Sequence, residues 1–174
     1  MMKTIPLLLT TEEVIHTADK DILYIASSKE LEKANESKLV LNFVGWAEHQ
    51  LILQNKETYI ICSSPYQLKD IVYIRETSYK TDDGYIYRSD YEYLEEDEQL
   101  IDWISANKMP REAVRTFYEV VDIDYIKHNN TPIEDTLMHK DTFKQRYAWR
   151  VKLKRINKPK DFILWNNRLQ RTTI

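Results

Sequence analysis

The run Ala148-Trp149-Arg150-Val151-Lys152-Leu153-Lys154 sets large apolar residues one position apart from basic ones. A period of two belongs to a β-strand with one covered face and one open face, whereas a helix would scatter the same residues around its circumference. Trp149, Val151 and Leu153 are therefore expected to face a core. Arg150, Lys152 and Lys154 then form a row of positive charge on the opposite face. Other strand-length runs, β-branched or aromatic, occupy residues 39–44, 58–62, 70–77, 85–88 and 114–123, and the short apolar segment 5–9 reads the same way. In 70–77 each face turns polar only at the end, at Arg75 and Glu76. Asp82-Asp83-Gly84 supplies the positive φ of a tight turn, so residues 70–88 are expected to form a hairpin. Helices are fewer. The capping pattern Thr10-Thr11-Glu12-Glu13 opens one over residues 11–17, and 29–35, 94–104 and a short turn at 132–139 are further candidates. The expected fold is α+β, a small curved or closed β-barrel with a few peripheral helices, built as a single domain over residues 1–174.

Composition removes several function classes. Two glycines in 174 residues leave no glycine-rich phosphate cradle and no dinucleotide fingerprint. Cys62 is the one cysteine, so a disulfide within the chain and a cysteine-based zinc site are both excluded. It sits in an apolar run and is expected in the core. His16, His49, His128 and His139 show no short ligand spacing, and neither a metal nor another cofactor is expected. Nothing approaches the ~20 apolar residues of a membrane span, and the N-terminal run lacks a leader's cleavage pattern. A cytoplasmic protein is expected, stabilised by a core that buries roughly 70% of the unfolded surface.

The net charge of -3 conceals an asymmetry: residues 137–174 hold eleven Lys or Arg against two acids, while residues 1–136 hold fourteen bases against twenty-six acids. A basic segment on an acidic body suits either contact with a polyanion or pairing within the chain. Phosphate-binding cations interleaved with Trp149, Phe162 and Trp165 form the residue set of single-stranded nucleic-acid surfaces.

Four blocks resemble a known family. Residues 65–77, Pro-Tyr-Gln-Leu-Lys-Asp-Ile-Val-Tyr-Ile-Arg-Glu-Thr, are similar to the "YQ-x-GD-I-x-x-VRETW" stretch of phage-associated ASCH domain proteins. Met109-Pro110-Arg111 leading into a strand is the second block; residues 119–123 with 131–136 are the third, and the aromatic strand at 147–153 is the fourth, all in the family's order. The likeness covers residues 65–155 well and 1–64 poorly. It implies a PUA-like barrel, a phage or prophage origin, and a barrel-side cleft for RNA or a modified nucleotide. Arg75, Glu76, Thr77 and Arg111 would lie at that cleft, where a guanidinium reads a phosphate or carbonyl and a carboxylate reads an amino group. Some relatives hydrolyse N4-acetylcytidine with a lysine, a threonine and a glutamate. Here Lys20 matches the lysine, Leu23 stands at the threonine, and Ile133 at the glutamate with Glu134 beside it.

The leading expectation is thus a non-catalytic binder of RNA or a nucleotide, using Arg75, Glu76, Thr77, Arg111, Arg150, Lys152, Lys154 and Arg155. One alternative is an amidohydrolase that uses Lys20 and Glu134. Another is an interaction protein whose acidic segment 82–98 mimics nucleic acid and blocks a host protein.

Overall fold

A computed structural model describes residues 2–37, 41–47, 50–54, 58–91, 101–127, 135–138, 142 and 145–162. These residues are mostly β with two short α-helices, and none of their helices is long and apolar enough to cross a membrane. The chain divides into two compact units, one made of Met1–Lys3, Ile22–Asp70 and Glu119–Lys154, the other of Thr4–Asp21, Ile71–Tyr118 and Arg155–Ile174.

In the first unit, β2 (Ile22–Ser27) pairs antiparallel with β11 (Tyr147–Ile156) and parallel with β10 (Thr136–Met138). A separate antiparallel sheet contains β3 (Asn42–Ala47), β4 (Gln50–Gln54) and β5 (Tyr59–Ser63). The alternation that marks β11 translates directly into burial: Trp149, Val151 and Leu153 are each 0% exposed. Trp149 also donates its indole N–H to the Lys29 carbonyl at 3.0 Å, and Tyr147 stacks on Tyr125 with ring centroids 5.6 Å apart. Between the two sheets in sequence lies α2 (Glu32–Glu36). It begins later than the expected 29–35 because Glu30, at φ 65°, turns the chain first.

In the second unit, β1 (Thr4–Leu8) runs parallel to β6 (Ile71–Arg75), with Thr4 opposite Ile71 and Leu8 opposite Arg75. Helix α1 (Thr11–Thr17) carries the expected capping box: Thr10 Oγ1 accepts from the Glu13 amide and Glu13 Oε2 accepts from the Thr10 amide. Strands β7 (Ser78–Thr81) and β8 (Gly84–Tyr87) form a hairpin, with Gly84 at φ 138°. The longest strand, β9 (Phe117–Lys127), begins in this unit and continues in the first beyond Tyr118. The six-stranded hydrogen-bonding order is β1-β6-β9-β11-β2-β10.

Four expectations need correction. The hairpin spans 78–87 rather than 70–88; Ile71–Ile74 are all buried, as a parallel strand covered on both faces requires, so β6 pairs with β1 instead. The strand expected from Val114 starts at Phe117, since Pro110 leads into a 3-10 turn at Arg111–Ala113. Residues 101–104 are not helical: Ile104 exchanges backbone hydrogen bonds of 2.7 and 3.0 Å with Ser78, pairing that a helix end cannot offer. The helical turn expected at 132–139 is, at Thr136–Met138, the strand β10, where ladder bonds to β2 override local preference. The remaining parts of those two segments, 94–100, 132–134 and 139, lie outside the described residues.

Candidate functional site

Carboxylates of the second unit converge on Arg115. Its Nε donates to Glu76 Oε1 at 2.9 Å and its Nη2 to Glu76 Oε2 at 3.1 Å. Asp90 takes the other edge of the guanidinium, with Nη1 to Oδ2 at 2.7 Å and Nη2 to Oδ1 at 2.8 Å. Ser89 closes the network by donating to Glu76 Oε2 at 2.5 Å. The guanidinium carbon lies 3.9 Å from the centroid of Tyr87, whose hydroxyl donates to the Ala113 carbonyl at 2.6 Å. With five N–H groups in a planar fork, arginine can chelate two carboxylates at once, a geometry closed to lysine. Hydrogen bonds and the charges of Asp90 and Glu76 outweigh burial and hold the Arg115 proton more tightly than usual.

Arg115 and Asp90 line a cleft of about 180 Å³ together with Val14, Thr17, Ala18, Ile74, Thr116 and Arg155. That volume is below the ~300–1,000 Å³ of drug-sized sites, so it suits one ring or one small polar group. The Asp90 side chain is 51% exposed, whereas that of Glu76 is 2% exposed. Asp90 therefore has lone pairs left for a ligand's donor, and Glu76 is committed to Arg115 and Ser89. Arg155 is exposed and held at one end, where Nη1 donates to the Ala18 carbonyl, the C-cap of α1. Its backbone amide donates to the Asp21 carbonyl at 2.7 Å, which fixes where the side chain starts. The cleft thus offers a carboxylate acceptor near a guanidinium with donors to spare.

The expected site residues are dispersed. Glu76 and Arg155 belong to this region. Arg75 points its Nη2 at the Met109 carbonyl, 2.6 Å away. Thr77, half-buried, accepts the Arg88 amide at its carbonyl. Arg111 lies over Phe162 at 4.2 Å and over Tyr73 at 5.4 Å, with Nη2 3.4 Å from Thr4 Oγ1. In the first unit Arg150, Lys152 and Lys154 share one face of β11, and Arg150 lies 4.1 Å over Tyr24. The Lys20 ammonium is 3.3 Å from His16 Nε2. Glu134 lies outside the described residues, as do residues 92–98 of the acidic segment.

Sequence reasoning missed the centre of the cleft. Arg115 meets Glu76 across 39 residues and Asp90 across 25, so no local spacing advertises the clamp. Comparison with protein-family models, with curated proteins and with solved structures gave no match for this chain.

Proposed function

We propose that the chain binds a nucleotide, free or within RNA, through the cleft at Arg115, Asp90 and Arg155, and does so without catalysis. The carrying observation is the clamp itself: Arg115 is bound by Glu76, Ser89 and Asp90, which fixes the half-exposed Asp90 carboxylate within the cleft. A fixed carboxylate accepts hydrogen bonds from the exocyclic amine of a base, and the open donors of Arg155 suit a phosphate or a base carbonyl. The β-rich fold and the ordered likeness of residues 65–155 to ASCH proteins support a PUA-like barrel of phage or prophage type acting in the cytoplasm. The hydrolase alternative needs a nucleophile, and Leu23, at the family's threonine, is an aliphatic side chain that is 2% exposed.

Calorimetric titration with cytidine monophosphate tests this reading. Asp90→Asn and Arg155→Gln should each weaken binding about tenfold or more, the loss expected for a charge-assisted hydrogen bond. Lys20→Ala should bind as the parent does, and N4-acetylcytidine incubated with the parent should release no cytidine above a blank. Absent binding by the parent, or parent-like binding by both cleft variants, overturns the proposal. Cytidine release abolished by Lys20→Ala would instead establish the hydrolase.

A further inference from the structure

The open face of β11, in the first unit and apart from the cleft, combines charge with a stacked pair. The register sets Lys154 opposite Ile22, Lys152 opposite Tyr24 and Arg150 opposite Ala26, and Tyr24 and Ala26 lie opposite Thr136 and Met138 of β10. Across these three strands the face therefore carries three cations, while β9, on the other side of β11, sets the exposed Asp122 and Asp124 on the same side of the sheet, offset by one from Tyr125, which packs against Trp149. No described carboxylate lies within ion-pair distance of Arg150, Lys152 or Lys154. The Arg150 guanidinium lies 4.1 Å from the Tyr24 ring centroid and the Lys152 ammonium 5.9 Å from the same ring. Arg150 also buries its Nε–H with no hydrogen-bond partner. Leaving a buried donor unmatched costs stability, so this arginine is held over the ring at the expense of its own hydration.

We infer that this face binds single-stranded RNA, with an unpaired base stacked on the Arg150–Tyr24 pair and the phosphate chain neutralised by Lys152 and Lys154. An arginine held over an aromatic ring builds a platform with it, and bases stack on guanidinium planes as they do on aromatic rings. Alternate residues of a strand are ~6.6 Å apart, a spacing that lets Lys152 and Lys154 meet successive phosphates of an extended strand. A duplex keeps its bases stacked on one another and has none to offer. The surface does not depend on the cleft, whose lining residues belong to the other unit.

Fluorescence anisotropy with a labelled single-stranded RNA of about 12 nucleotides, and with its duplex, tests the inference. The parent should bind the single strand at low salt at least tenfold more tightly than the duplex. The Lys152→Gln/Lys154→Gln protein should bind more weakly and flatten the log–log salt dependence by about 1.4, from ~0.7 per neutralised phosphate on a single strand. Arg150→Lys keeps the charge and removes the plane; it should lose about tenfold while keeping the parent's salt slope. Cytidine monophosphate titrated into the same variants should bind as it does to the parent, so the failure of one site is distinguishable from failure of the other. No binding by the parent, equal affinity for duplex, or parent-like binding and slope in all variants overturns the inference.

Discussion

Arg115 joins a buried carboxylate to an exposed one. It faces Glu76, a carboxylate 2% exposed, and replacing the arginine would leave that charge buried with Ser89 as its remaining described side-chain partner. Removing one member of a buried pair costs about 3 kcal/mol because the other stays desolvated. Arg115→Met is therefore expected to lower unfolding free energy by about that amount in urea denaturation, while Arg111→Met, which removes a long 3.4 Å contact and the charge over Phe162 but strands no described buried carboxylate, should cost less. The residue scale is also where the sequence was least informative. Arg75 and Glu76 are adjacent in the chain, yet one binds the Met109 carbonyl and the other Arg115. Strand geometry sends neighbours to opposite faces, so adjacency said nothing about shared work.

Individual elements were legible wherever the signal was local. The capping box of α1 and the alternation of β11 are complete within a few residues, and both appear as read. The Asp82-Asp83-Gly84 turn is also where it was expected, although it joins β7 to β8 and leaves β6 outside the hairpin. The approach to β6 contains a departure from good turn chemistry: Lys69 holds φ 72°, where the ASCH-like pattern carries glycine, while its amide donates to the Val120 carbonyl at 2.8 Å. A left-handed conformation costs a residue with a Cβ ~1 kcal/mol relative to glycine. Lys69→Gly should accordingly raise stability by up to about 1 kcal/mol, read as a higher urea midpoint at unchanged m-value. A lowered midpoint would show that glycine's extra freedom in the unfolded chain outweighs the relief.

At the scale of the whole molecule, tyrosines tie stability to pH. Burial raises the phenol pKa values of Tyr66 and Tyr118; at Tyr125 burial acts first, and the Tyr147 and Cys62 charges add to it. Above pH ~10 the unfolded chain releases these protons while the folded chain keeps them, so the unfolded state binds fewer protons and stability falls as pH rises. Below that pH both states hold them and this source contributes no slope. The thermal midpoint should be insensitive to these groups up to about pH 9 and fall beyond about pH 10, with tyrosinate absorbance rising cooperatively at unfolding. Gradual titration of all twelve tyrosines with no loss of midpoint would contradict the assignment. The sequence by itself determined what depends on neighbours along the chain: the strand period, the helix cap, the turn glycine, the burial of Cys62 and the basic face of β11. Tertiary structure alone decided which strand pairs with β6, that Thr136–Met138 extends a sheet, and that Glu76, Asp90 and Arg115 meet. The physical reason is range. Periodicity and capping are fixed by dihedral preferences and contacts within one or two turns, whereas ladder partners and ion pairs are selected by closing loops of tens of residues, whose cost varies little with length and so leaves no local mark.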